Sequence, residues 1–426
     1  MKRVALMCAV AVLGLSSSAS AQLTMQMGNG WSFTVAGNVN AFGVYTSGTV
    51  DTVGPLSAAT PSAPSAPLGI SGGLVPQEKV TRVRTGLLPA FVTFDVKGHE
   101  LGFDLGAHFG FAPQINSNGS HDNFGAQIDM RQVYMTIGGK DWGSVLAGRE
   151  LGLYQRHNIL TDITLFGAGP TGGGVGTGGT TLGRIGFGYL YPNFNAQLTY
   201  SSPDTLPFQI VIGLFDPSEI QGGTAARTFA QTKTPRIETE LTFTQPFGEK
   251  NAAGKSTNTF LAWVGGLYQR AETLDSVASP ASVDAVGGSG GAKVDLGGLS
   301  LVASGYLGSG IGTTLMFDAA NTAVDRADKP RTSWGYMLQA AYAITDTNFV
   351  LGGGWGESRM VETDNDKTLT DGDPLVKANA AATASVQYNW TKSLKQVFEF
   401  TYAQSEAFTG AKNKSYQGAL GLMLFF

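Results

Sequence analysis

From Leu101 to Phe111 the chain alternates strictly: Leu101, Phe103, Leu105, Ala107, Phe109 and Phe111 take one set of positions, and Gly102, Asp104, Gly106, His108 and Gly110 take the other. Successive side chains of a β-strand point to opposite faces, so this period of two predicts a strand with one apolar face. Arg236, Glu238, Glu240 and Thr242 alternate in the same way with Ile237, Leu241 and Phe243, and Val397, Glu399 and Thr401 with Phe398, Phe400 and Tyr402. Asn379, Thr383, Ser385, Gln387 and Asn389 stand opposite Val386, Tyr388 and Trp390. In a water-soluble sandwich the apolar face meets a second sheet; in a membrane barrel it meets lipid and the polar face lines the lumen. Alternation alone fits both.

The connections separate the two. Sixteen strands are predicted near 31–47, 80–97, 100–111, 125–138, 142–149, 184–202, 208–215, 235–245, 257–270, 284–296, 299–309, 331–344, 347–356, 376–390, 394–406 and 414–426. Between them, short links such as 98–99, 139–141, 203–207, 297–298, 345–346 and 391–393 alternate with long ones such as 48–79, 112–124, 150–183, 216–234, 310–330 and 357–375; 246–256 is intermediate. Short turns on one rim, long loops on the other and an even strand count describe an outer-membrane barrel. Trp31, Trp142, Tyr191, Trp334, Trp355, Trp390, Phe425 and Phe426 fall near predicted strand ends, where interfacial aromatic girdles lie.

Composition agrees. Only 14 % of the 426 residues are charged, against roughly 25 % in soluble domains, while 59 are Gly and 42 % are hydrophobic. Lys2 and Arg3, the apolar run Val4 to Leu15 and the small residues Ala19-Ser20-Ala21 read as a secretory signal over 1–21, cleaved before Gln22. Cys8 sits too early in the apolar run for a lipoprotein. The expected mature domain, 22–426, has 405 residues, no cysteine and a net charge of −6. Disulfides, thiolate chemistry and covalently attached haem are thereby excluded. Beyond residue 21 there is no uncharged apolar run of 18 residues, so a membrane form of this chain must be a closed barrel.

Several stretches resemble the Gram-negative porins, the trimeric sixteen-stranded general diffusion channels. Arg131-Gln-Val-Tyr134-Met-Thr-Ile-Gly138 followed by Trp142-Gly143-Ser-Val145-Leu-Ala-Gly148-Arg149 is similar to the family's hairpin before its third loop. Ala196-Gln-Leu-Thr-Tyr200-Ser-Ser202-Pro203 resembles the strand that returns after it. Leu422, Leu424 and Phe426 resemble the terminal signal read by the outer-membrane assembly machinery. The resemblance implies an all-β transmembrane antiparallel barrel with its third loop folded into the lumen, a homotrimer in the bacterial outer membrane, and passive diffusion of small hydrophilic solutes and ions. It also implies loop carboxylates facing a wall of basic residues. The corresponding loop here, Glu150 to Gly183, departs from that pattern: it is Gly-rich through Gly172–Gly179 and almost uncharged.

The pore candidates are therefore few. Glu150 and Asp162 are the acids of the loop; Arg82 and Arg84 share a face, Arg149 leads into the loop and Arg184 resumes the chain after it. Arg131 shares parity with Asp129, opposite Ile128, Met130 and Tyr134. Arg on the lipid face near the midplane costs about 2–4 kcal/mol, so these side chains are assigned to the lumen. The excess of Arg over acid leans the channel toward anions. The alternatives are a solute-specific channel, an outer-membrane hydrolase or a secreted β-sandwich adhesin.

Other chemistries find little footing. His99, His108, His121 and His157 lack metalloprotease spacing, and G-x-S-x-G is absent. The Gly-rich loop lacks the Lys-Ser/Thr of a phosphate-binding loop. Asp364, Asp366, Asp371 and Asp373 loosely suggest a Ca²⁺ loop or a divalent bridge to lipopolysaccharide, although their spacing departs from the EF-hand. Pro55–Pro67 reads as an extended first loop. No cofactor is expected, and a net acidic chain with scattered basic residues argues against nucleic acid.

Overall fold

The computed structural model describes residues 23–51, 79–115, 128–170, 180–221, 228–250, 256–274, 280–312, 323–368, 376–408, 410 and 412–426. The expected signal segment, the first loop, Gly172–Gly179, His121, Asp371 and Asp373 lie outside them. Twenty strands follow in chain order: β1 (Leu23–Gln26), β2 (Ser32–Asp51), β3 (Lys79–Arg84), β4 (Phe91–Glu100), β5 (Phe103–Pro113), β6 (Ile128–Gly139), β7 (Gly143–Leu151), β8 (Phe194–Ser201), β9 (Phe208–Phe215), β10 (Ile220–Gln221), β11 (Thr228–Phe229), β12 (Arg236–Lys250), β13 (Ser256–Glu272), β14 (Ser282–Leu296), β15 (Leu299–Ser309), β16 (Thr332–Ala343), β17 (Phe349–Val361), β18 (Val376–Asn389), β19 (Leu394–Ala407) and β20 (Lys412–Phe425).

Each wall strand pairs antiparallel with its neighbour, and β20 closes on β2 from Asn38↔Phe425 to Asp51↔Lys412. β3 and β4 are two halves of one wall strand, both paired to β2, and β10 and β11 form a separate two-residue pairing within a loop. β1 adds to β2 at Ser32–Val35, beyond the reach of β20. The wall is thus a closed barrel of sixteen strands, which overturns the sandwich alternative. A sheet without edges satisfies its backbone groups internally, the condition for crossing hydrocarbon.

The alternation sorts as lipid and lumen require. Ile210, Ile212 and Leu214, and Leu420, Leu422 and Leu424, stand exposed on the outside, while Asn379, Thr383, Ser385 and Gln387 are buried inside. Trp142 and Trp390 are exposed beside short turns at 140–142 and 390–393.

Three expectations need correction. The strand expected over 80–97 is broken, because Thr85–Ala90 leaves the wall and turns inward; Pro89 cannot donate to a ladder. Its backbone is satisfied instead by Asn40, which accepts from Gly86 N (2.8 Å) and donates to Leu88 O (3.0 Å), and by Asn38, which donates to Pro89 O (2.9 Å). The strand expected from residue 184 begins only at Phe194; the preceding ten residues lie in the lumen. Finally, the register between β5 and β6 steps from Gly110↔Gln132 to Phe111↔Met130, a bulge at Arg131. The extra residue reverses parity beyond it, so Tyr134 turns inward and stacks on His108 (4.8 Å between centroids) instead of sharing the outer face with Met130.

The core is not between layers. It lies inside the barrel, where a loop packs against the inward side chains of the wall.

Candidate functional site

The chain between β7 and β8 enters the lumen, and most of its described residues are buried. It forms a short helix, α1 (Arg156–Thr161), and a 3-10 turn, Ile163–Phe166, whose first N–H groups are capped by Asp162 accepting from Thr164 N (3.0 Å). Apolar spacing explains its docking: Ile159, Leu160, Leu165, Ile185 and Tyr189 pack against Val44, Trp263, Val302, Met337, Val397 and Met423 of the wall. Each such side chain, fully buried, contributes about 1.5–3 kcal/mol. Two glycines permit the closest approaches. A Cβ on Gly356 would collide with Phe187 O, and Gly169 has φ +67° with Gly183 against it. The inward detour of the second wall strand joins the loop through Leu87 N to Gly167 O (3.0 Å) and Leu88 N to Leu165 O (3.1 Å).

Carboxylates of the wall fasten this loop. Glu238 Oε2 accepts from Leu153 N (2.7 Å) and Tyr154 N (2.9 Å), while Arg236 lies 3.0 Å from its other oxygen. Glu240 Oε1 pairs with Arg156 (2.5 Å) and with His157 Nε2 (3.3 Å). Glu399 Oε1 accepts from Gly169 N (2.6 Å). Gln339 accepts from Ile163 N (2.9 Å) and donates to Thr161 O; Trp263 Nε1 donates to Asn158 (2.9 Å); Asn379 donates to Gly186 O (3.1 Å). Hydrogen bonds to ionised acceptors are among the stronger kinds, and a buried carboxylate needs several of them.

The pore candidates are distributed unequally. Arg82 and Arg84 both face the lumen; Arg84 is buried and donates to Thr180 O (3.3 Å), whereas Arg82 is half-buried and donates to the Thr81 carbonyl. Asp129 and Arg131 pair at 2.8 Å, and the Arg131 guanidinium lies 5.8 Å from the Phe194 ring centroid. Glu150 accepts from Gln132 (2.8 Å) and Leu151 N (2.8 Å). Asp162 is sealed within the loop, where Tyr189 donates to it at 2.8 Å and Arg184 stands 3.6 Å away. Burial, reinforced by that carboxylate, pushes the Tyr189 phenol well above its ordinary value. Arg184 is itself fully buried in the loop and does not begin a strand. Arg149 belongs to the other face: it is exposed, level with Val133 and Ala196 of the outer surface. Beside the wall arginines and the loop's Asp162, acids on the wall meet the loop backbone and Arg156. Glu238, Glu240, Glu399 and Gln339 were not among the sequence candidates, though the first three occupy the polar positions of alternating strands.

The acidic outer loop has its own partners. Asp366 takes a bidentate contact from Arg331 (2.8 and 2.7 Å) and accepts from Thr363 N (3.1 Å). Burial works against its charge, but these donors prevail and hold the carboxyl below the usual range. Asp364 is exposed beside Lys367. Asp366 thus serves an Arg-paired lock; Asp371 and Asp373 lie outside the described residues, and among those described no group of three potential ligands could hold a metal. His99 pairs with Asp104 (2.8 Å) and His108 with Asp95 (2.9 Å).

A Gram-negative porin family model matches residues 5–407. Among solved structures, the outer membrane channel DcaP of Acinetobacter baumannii is similar at 13 % identity and a TM-score of 0.65, covering 94 % of this chain and 99 % of that one. Salmonella typhi OmpF in complex with daunomycin follows at 11 % and 0.55, covering 95 % and 100 %. An anion-selective porin from Comamonas acidovorans is similar at 12 % and 0.54, covering 93 % and 100 %. No curated protein matches the sequence.

Proposed function

Given that the chain belongs to the Gram-negative porins and forms a passive diffusion channel of the bacterial outer membrane, we propose that it is a homotrimer whose pore favours small hydrophilic anions. The observation that carries the selectivity is the state of the lumen charges. Glu238, Glu240, Glu399 and Asp162 are committed to the loop, Glu150 to Gln132 and Leu151 N, and Asp129 to Arg131. Arg82, half-buried on the inner face, has no carboxylate within 4 Å among the described residues. A free cation beside a narrowed aqueous path concentrates anions there.

The remaining parts of the reading follow from the sequence. Residues 1–21 direct export and are removed, and Leu422, Leu424 and Phe426 present the outward apolar face that the assembly machinery reads. Outer-leaflet lipopolysaccharide surrounds the barrel. The family and fold favour a channel over an enzyme. The test is the zero-current potential of the purified protein in planar bilayers across a KCl gradient. A potential of the sign set by Cl⁻ supports the proposal; one set by K⁺ overturns it. Gel mobility before and after heating reads the trimer.

A further inference from the structure

On the short-turn side of the inward loop, the lumen wall carries a lysine among phenylalanines. Lys395, the second residue of β19, faces inward with its ammonium 4.5 Å from the centroid of the Phe166 ring, and Phe166 meets Phe425 edge-on at 6.2 Å. Phe91 stands on the same register row as Phe425, with Asn38 between them. All four side chains are half-buried, so the group borders open lumen. The ammonium donates to Gln387 Oε1 at 2.9 Å, a neutral acceptor, and no carboxylate lies within 4 Å of it among the described residues. Glu399, four positions along the same face, is turned to Gly169 N.

An ammonium without a carboxylate, set in an apolar aromatic rim, is suited to an anion that carries an apolar body. The charge is met by Lys395 and the flat face by the rings, which prefer offset or edge-on partners. A small hydrated anion can use only the charge. We propose that Lys395, Phe166, Phe425 and Phe91 form a binding station for aromatic carboxylates just below the narrowed section of the pore. This rests on the channel reading above and names a solute class within it.

Benzoate and acetate, added on the turn side of channels held in planar bilayers, test it. In the unaltered protein benzoate reduces the ionic current at a concentration ~10-fold or more below acetate. Phe166→Leu raises the half-blocking concentration of benzoate and leaves that of acetate nearly unchanged, Lys395→Gln raises both, and Lys395→Arg retains the block. Equal block by the two acids, or an equal shift of both in Phe166→Leu, overturns the station while leaving a conducting porin. Absence of conductance in the unaltered protein overturns the channel reading and the station with it.

Discussion

Glu238, Glu240 and Glu399 on one part of the lumen wall, and Arg82 and the Asp129–Arg131 pair on another, are all charged side chains pointing inward from barrel strands. The first group is covered by the loop between β7 and β8, and its oxygens hold backbone N–H groups and Arg156 at 2.5–2.9 Å. The second group remains at least partly open to the lumen. The same residue types fasten the constriction where they are covered and set the field where they are not, so parity assigns a face but coverage assigns the role.

Removing a fastening should have the largest effect. Glu238→Ala leaves the N–H groups of Leu153 and Tyr154 buried without their acceptor, at about 1–3 kcal/mol for each unsatisfied group, and strands Arg236 as well. Single-channel recordings should show higher and noisier conductance; traces indistinguishable from the unaltered channel would mean that apolar packing alone holds the loop. Neutralising the open wall comes next: Arg82→Gln should move the zero-current potential toward cations with little change in conductance. Arg149→Gln should leave that potential where it was, since the side chain is outside; a shift as large as that of Arg82→Gln would return Arg149 to the lumen. The smallest effect concerns the outer loops. The Asp366 carboxyl is held below its ordinary range, so its contribution is complete above the unfolded value and is lost as pH falls through the folded one. Amide exchange around Thr363 should therefore accelerate on acidification below the ordinary carboxylate range, and Asp366→Asn should abolish that dependence.

The barrel is legible because the strands repeat the same two-residue rule, and Phe103-Asp-Leu-Gly-Ala-His-Phe109 needs no partner to declare its faces. Arg82 and Arg84 share the inward face of β3 with Val80, as their parity reads. Tyr134 departs from its simple parity, because a bulge of one residue at Arg131 inverts everything beyond it and leaves no mark in composition. Arg149 was misassigned by its position before the loop, although its own strand parity with Ala147 and Val145 points outward. The fastening residues were visible as polar positions on β12 and β19, but their partners lie up to 230 residues away. Alternation within a strand carries no information about what will cover it.

The loop's anchors have a consequence for assembly. Its points of attachment are spread over β12, β13, β16, β18 and β19, and Gln417 of β20 also reaches Gly169, 248 residues distant. Contacts of such separation form late, because the intervening chain must first be ordered. The narrowing then waits on the wall: until β12 to β20 stand in place its anchors are missing, so the aperture belongs to the finished barrel rather than to the loop's own sequence.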